Sequence, residues 1–165
     1  MPCISQPRLT GVRKEAQLST PKSTVKEESF FRDLVAKTWR TSNFLRLERR
    51  HEHFLQLLSH FASLGENWDS YESPPPSSEV VASATRFLKK LHDDVFLPSS
   101  IAPSAEGGIA IYFNVSDKSA YAEYRNSGQL IVAMYNEEQD PIVIELSTNN
   151  ADEARAITNI RQYLS

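Results

Sequence analysis

The sequence predicts an α+β fold in which helices pack on one face of a four-stranded antiparallel meander. Apolar residues recur every three or four positions up to about residue 97, and from about residue 107 they alternate at every second position. The first rhythm is typical of amphipathic helices and the second of half-buried strands. Because the turns between the alternating segments are short, consecutive strands must be antiparallel neighbours. Helices followed by strands and a last helix indicate the α+β class.

Composition favours an ordinary globular protein. The chain has 165 residues, 40% of them hydrophobic and 24% charged, which fits one domain. Its one cysteine, Cys3, excludes an internal disulfide and is compatible with a reducing cytosol. No apolar run resembles a secretory signal or a membrane span, so we expect a cytoplasmic protein without membrane contact.

Residues 1–27 are rich in Ser, Thr, Pro and Lys, which predicts a disordered basic tail before a single α+β domain at residues 28–165. Charge is divided unevenly along the chain. Residues 1–53 contain eleven Lys/Arg and six Asp/Glu, whereas residues 54–165 contain seven and fifteen. The basic arm could contact an anionic partner, but a solvated tail and a charged helix face are the simpler explanation of the imbalance.

Helical spacing predicts one helix over residues 29–40 and another over residues 43–64. Thr41-Ser42-Asn43 looks like a break with a new N-cap, so the two helices are expected to form a hairpin. Gly65 is the expected C-cap. Six residues of the second helix share one face: Phe44, Leu47, His51, Phe54, Leu58 and Phe61.

The next helix should begin after the N-cap Ser77 and end before Pro98. The last helix should be opened by Asn150 and Glu153, which resemble a capping box. Four strands are predicted between these helices, over residues 109–115, 120–124, 129–135 and 142–146.

No metal site, cofactor or catalytic nucleophile is predicted. His51 and His53 would point to opposite sides of a helix. His53 and His60 would lie roughly 10 Å apart along the axis, too far for one ion. Gly107-Gly108 precedes a strand and not a helix, so it does not form a phosphate loop, and no nucleophile elbow occurs.

An acidic cluster lies in the turn-rich connector, residues 65–76. Glu66, Asp69 and Glu72 occur beside Trp68 and Tyr71. Carboxyl groups next to aromatic rings can have raised pKa values and act as general acids, which would suit a hydrolase that also uses a histidine. The structural alternative is that Asp69 caps the turn and Trp68 fills the core between two helices.

Strand alternation places Tyr112 on the side opposite Ile109 and Ile111, and Tyr121 and Tyr135 are predicted to share that side. If helices cover only the aliphatic side, the tyrosines form a surface that suits a protein partner. Acidic neighbours would repel a nucleic-acid backbone. The alternative is that a further helix covers them.

The connector segment Asn67–Pro75 reads Asn-Trp-Asp-Ser-Tyr-Glu-Ser-Pro-Pro. It resembles an element shared by a group of small uncharacterised bacterial proteins, Asn-Trp-Asp-Gly-Tyr-Gly-Ala-x-Pro. The resemblance spans about residues 54–146, but only the connector is specific. It implies no activity or catalytic residue, and association of some members with mobile-element or toxin–antitoxin-type loci favours partner binding. Ser70 and Glu72 replace two glycines, which argues for a structural turn and against a ligand pressed on the backbone.

The sequence therefore favours a non-enzymatic protein-binding or regulatory module, acting through the helix of residues 43–64 or the sheet. The expected partner is another protein. One alternative is a hydrolase that uses the acidic cluster. The other is a nucleic-acid-binding regulator that uses the basic N-terminal half. The candidate binding residues are Trp68, Asp69, Tyr71, Tyr112, Tyr121, Tyr135, Arg46, Arg49 and Arg50.

Overall fold

The computed structural model describes residues 25–165, with side chains from Arg32 onward. Most of the predicted tail therefore lies outside the described residues, and the first helix begins at Val25. The described residues divide into two units between Trp39 and Arg40. The predicted boundary between tail and domain stays a prediction.

The fold is α+β, as predicted, with five strands in place of four. The helices are α1 (Val25–Phe61), α2 (Ser78–Asp93) and α3 (Asn150–Leu164). The strands are β1 (Ser100–Ser104), β2 (Gly108–Val115), β3 (Lys118–Tyr124), β4 (Gln129–Tyr135) and β5 (Ile142–Ser147). They form one antiparallel sheet in the order β1-β2-β3-β4-β5. The meander from β2 to β5 agrees with the prediction.

Strand β1 is the element that the sequence prediction lacks. It pairs with β2 so that Ile101 lies opposite Ile111. Only one of its five residues is a large aliphatic, and Pro103 weakens the strand signal. Proline is tolerated here because β1 lies at the edge of the sheet.

Helix α1 corrects the prediction of a helical hairpin, because it continues through Thr41-Ser42-Asn43 without a break. Residues 22–64 contain neither glycine nor proline. Polar residues inside a helix can bond to its own carbonyl groups; the Thr38 hydroxyl donates to the Leu34 carbonyl at 2.9 Å. The helix also ends before Gly65, which has no left-handed backbone conformation.

All three helices contribute to one core on a single face of the sheet, as predicted. From α1 the buried residues are Phe54, Leu58 and Phe61, so only the second half of the predicted stripe is buried. Phe87 of α2 meets Tyr124 of β3 edge to face, with ring centroids 5.7 Å apart. The other members of this core include Leu88, Leu91, Ile109, Ile111, Phe113, Leu130, Val132, Ile157 and Ile160.

The start of α3 differs from the predicted capping box. Asn149 is the N-cap, and its side chain accepts a hydrogen bond from the Asp152 backbone N–H at 2.9 Å. Glu153 is fully buried and forms ion pairs with Arg86, at 3.3 Å, and Lys90 of α2. It therefore joins two helices and does not cap one.

None of the helices in residues 25–165 combines the length and apolar character needed to span a membrane.

Candidate functional site

The three sheet tyrosines lie on one face, as predicted. Tyr112 of β2 pairs directly with Tyr121 of β3, and Tyr135 of β4 pairs with Ser119. Ser119 and Tyr121 are two residues apart on one strand and so point the same way. This face is opposite the one that carries Ile111 and contributes to the core.

We call this surface the tyrosine face. Its members come from four neighbouring strands: Ala110, Tyr112, Tyr121, Glu123, Ile131, Ala133, Tyr135, Val143 and Glu145. The rings of Tyr112 and Tyr121 are tilted against each other with centroids 6.1 Å apart. Tyr135 is 41% exposed and Val143 is 58% exposed. The surface therefore combines aromatic rings, hydroxyl groups and an exposed aliphatic side chain.

No helix contributes a buried side chain to the tyrosine face between Arg32 and Ser165. The buried residues of α2 and α3 are, apart from Ser83 and Glu153, members of the core on the other face. Ile131 and Ala133 are buried but lie outside that core, among their neighbours in the sheet. The alternative in which a further helix covers the tyrosines is thus not observed in the described part of the chain.

A buried carboxylate anchors one side of the tyrosine face. Glu123 is 7% exposed and accepts a hydrogen bond from the Ser104 hydroxyl at 2.5 Å. Arg125 approaches it at 3.2 Å and also pairs with Glu106 at 3.2 Å. Ser104 belongs to β1, so missing that strand in the sequence also hid this hydrogen bond.

The hydroxyl of Tyr112 stays protonated near neutral pH. Burial raises the pKa of Tyr112, and the negative charge of Glu123 and the neighbouring Tyr121 and Tyr135 raise it further. Protonated phenols can both donate and accept hydrogen bonds. The face therefore offers polar contacts without adding charge beyond that of Glu123 and Glu145.

In the connector, Asp69 caps the turn, as its structural alternative predicts. One carboxylate oxygen accepts hydrogen bonds from the backbone N–H groups of Tyr71 and Ser73, at 2.9 and 3.3 Å. The other accepts from the Ser73 hydroxyl at 2.5 Å. The Ser73 hydroxyl in particular lowers the pKa of Asp69. A general acid requires a raised pKa, so the shift has the opposite sign.

Trp68 does not fill the core between two helices, and that prediction is wrong. It is half-buried, lies outside the core, and donates from its indole nitrogen to the Pro74 carbonyl at 3.3 Å. The connector folds back on itself because Asn67, Ser70 and Glu72 all have left-handed backbone conformations, with φ of 58°, 65° and 64°. The indole therefore contacts its own loop.

Ser70 and Glu72, which replace the two glycines of the resembling bacterial element, thus have the left-handed backbone conformation that glycines commonly adopt.

Asn126, from the turn between β3 and β4, fixes the end of the connector. Its side chain accepts from the Ser77 backbone N–H at 2.8 Å and donates to the Pro75 carbonyl at 3.0 Å. This contact could not be predicted from the sequence, because the partners are about fifty residues apart.

Two histidines, His51 and His92, lie next to each other, and the acid beside them is Glu48 of α1 and not a residue of the connector. The rings of His51 and His92 stack with centroids 4.3 Å apart, and His92 Nε2 lies 3.0 Å from a Glu48 carboxylate oxygen. Burial lowers the pKa of His51, and the positive charge of His92 lowers it further. Between residues 25 and 165 no three His, Cys, Asp or Glu side chains are placed to hold a metal ion.

The three candidate arginines follow one another on α1 but have different surroundings. The Arg50 guanidinium donates to the Pro98 carbonyl at 2.7 Å and lies 5.8 Å from the Phe54 ring centroid. Arg46 lines a cavity together with Arg50, whereas Arg49 is exposed and does not line it. Part of this basic group therefore serves the packing of α1 against the loop before β1.

No protein family, curated protein or solved structure matches this chain. The resemblance of the connector stays a prediction, and the case for function rests on the geometry of the tyrosine face.

Proposed function

We propose that this protein is a non-enzymatic protein-binding module that docks its partner on the tyrosine face. The observation that carries the proposal is a sheet face bearing Tyr112, Tyr121 and Tyr135 on which no described helix packs. Tyrosine supplies a large contact area and a polar tip at low entropic cost, and it is enriched where protein partners contribute most binding energy.

The charges of this face favour a protein over a nucleic acid. Glu145 is an exposed member of the face, and its carboxylate would repel phosphate groups, whereas the buried Glu123 is paired with Arg125. The C-terminal part of α1, from residue 43 to Phe61, is a weaker docking surface, because Phe54, Leu58 and Phe61 already belong to the core. The sheet is the surface that remains available.

The biological setting follows from the sequence and not from the geometry. The resemblance of the connector favours a regulatory role at mobile-element or toxin–antitoxin-type loci in bacteria. The lone Cys3 favours a cytoplasmic setting.

Affinity capture with face-directed variants tests the proposal. The tagged full chain, a Tyr112→Ala/Tyr121→Ala variant and a Tyr71→Ala variant are compared in extracts of the cells that produce the protein. Tyr71 is a matched control because it is an 86% exposed tyrosine outside the face. We expect the double variant to retain about tenfold less of a partner protein that the other two chains capture equally.

Two results would contradict the proposal. One is equal capture of every protein by the three chains, provided that circular dichroism shows all three to be folded. The other is a capture that nuclease treatment or moderate salt abolishes, because that behaviour is typical of a nucleic-acid-dependent contact.

A further inference from the structure

A cavity of about 430 Å³ lies between α1 and the loop that follows α2. Four apolar residues line it: Phe44 and Leu47 from α1, and Val95 and Leu97 from the loop. Arg46 and Arg50 are among its polar lining residues. A volume in this range, with mostly apolar walls and a few polar groups, is typical of small-molecule sites.

Val95 occupies a backbone conformation that valine rarely adopts. Its φ is 56°, in the left-handed region, where a β-branched residue is strained. This left-handed residue ends the turn that follows α2. In that turn the Val95 N–H donates to the His92 carbonyl, and the Phe96 N–H donates to the Leu91 carbonyl. Glycine is the usual residue at such a helix end.

Burial does not compensate for this strain, because the Val95 side chain is 71% exposed. A residue that is strained and also exposed gives the folded protein less stability than glycine would at the same position. Strained positions of this kind are concentrated at binding and catalytic sites. The valine therefore points to a role for its side chain at the cavity.

The charges at the cavity favour an anion. Arg46 makes no hydrogen bond or ion pair with any residue from 32 to 165. The Arg50 guanidinium donates to the Pro98 carbonyl at 2.7 Å and lines the same cavity. Asp93 is the one acid among the lining residues; it is 81% exposed and lies 4.0 Å from His92. The lining thus carries more positive than negative charge.

We infer that this cavity binds a small amphipathic carboxylate. The apolar body of the ligand packs between Phe44, Leu47 and Val95, and its carboxylate pairs with Arg46, whose planar guanidinium matches a carboxylate in two-point contact. This site is independent of the tyrosine face, which lies on the opposite side of the sheet from the helices. Neither proposal requires the other.

Titration of the ¹⁵N-labelled full chain with octanoate, followed by NMR, tests the inference. Octylamine has an apolar chain one carbon longer and a positive head, and it is the matched probe, because the longer chain alone would favour its binding. We expect saturable shifts at the amides of Phe44, Leu47, Val95 and Leu97 with octanoate, and at least about tenfold weaker binding of octylamine.

Variants at three positions separate the parts of the site. Arg46→Gln should weaken octanoate binding by about fivefold or more, whereas Arg49→Gln, on the same helix but outside the cavity, should leave it unchanged. Val95→Gly should also weaken binding, while it raises the Tm by about 2–4 °C because the left-handed strain is removed.

The inference is overturned if octanoate gives no saturable shift, or if the shifts map away from the cavity. Octylamine binding as tightly as octanoate would overturn it as well. The same holds if Arg46→Gln and Arg49→Gln bind octanoate equally, or if Val95→Gly binds it as the natural chain does.

Discussion

At the scale of single residues, the connector shows how a few backbone angles determine a turn. Ser70 and Glu72 carry exposed side chains in the left-handed region, a conformation that costs an L-residue about 1 kcal/mol relative to glycine. The Glu72 backbone N–H donates to the Asn67 side chain at 2.9 Å, and glycine would keep this bond. The connector is thus stable in spite of its side chains at these two positions.

Replacement of either residue by glycine should therefore stabilise the fold. We expect Ser70→Gly and Glu72→Gly each to raise the free energy of unfolding by about 0.5–1 kcal/mol. Urea denaturation measures the change. Glu66→Gly is the control, because Glu66 is exposed but not left-handed, and glycine there should lower stability. Destabilisation by both glycines at 70 and 72 would contradict the account.

The hydrogen bonds to Asp69 predict a pH dependence of stability. The folded state lowers the pKa of this carboxyl below its ordinary value of 3.8. Its contribution is therefore complete above pH 3.8 and is lost as the pH falls through the lower, folded pKa. In urea denaturation, Asp69→Asn should be less stable than the natural chain at pH 7, and the difference should narrow as the pH approaches 2. A difference that is independent of pH would contradict this assignment.

The role of a single residue could be predicted where its hydrogen-bond partners are close to it in the sequence. Asp69 bonds within four residues of itself, so an Asx-type turn could be expected from the sequence. Glu153 bonds to Arg86 and Lys90, which are 67 and 63 positions away, and its position in the first turn of α3 suggested a cap instead. Charged residues that pair over long distances give no periodic signal.

At the scale of elements, the periodicity of apolar residues identified most helices and strands correctly. It led to a wrong helix boundary where polar residues interrupt the pattern. The four strands from β2 to β5 and helices α2 and α3 follow the predicted pattern. The polar run Thr41-Ser42-Asn43 suggested a helix boundary, but without glycine or proline it only interrupts the apolar stripe of α1. Strand β1 was not predicted because its residues show no alternation of apolar and polar side chains. Its pairing with β2 defines it as a strand.

The ion pairs of Glu153 fix α3 to α2, and this predicts a measurable cost when they are removed. Glu153 is fully buried, while Arg86 and Lys90 are partly exposed, so solvent reduces the strength of the pairs. We expect Glu153→Gln to lower the free energy of unfolding by about 2 kcal/mol in chemical denaturation.

The matched control for this prediction is Glu145→Gln, which removes an exposed carboxylate from the sheet. It should change stability by less than about 0.5 kcal/mol. Equal effects of the two substitutions would show that the buried ion pairs do not connect the helices as described.

At the scale of the whole molecule, one face of the sheet belongs to the core, and no helix packs on the other face within the part of the chain whose side chains are described. Strand alternation predicted which residues share each face, because side chains on a strand alternate strictly. The order of helices and strands also predicted that the helices pack on one face. It could not predict whether a further helix covers the tyrosines on the other face, because that depends on contacts between distant segments. Only the structure therefore shows that Tyr135 and Val143 are exposed.

Site-specific photocrosslinking tests the central claim, that the tyrosine face binds a protein. The full chain is produced in its native cells as Tyr121→benzoylphenylalanine or, for comparison, as Tyr71→benzoylphenylalanine, and the adducts are identified by mass spectrometry. We expect a discrete protein adduct after irradiation of the chain substituted at Tyr121, and none from the chain substituted at Tyr71. The absence of any adduct at Tyr121, or the same adducts from both positions, would contradict it.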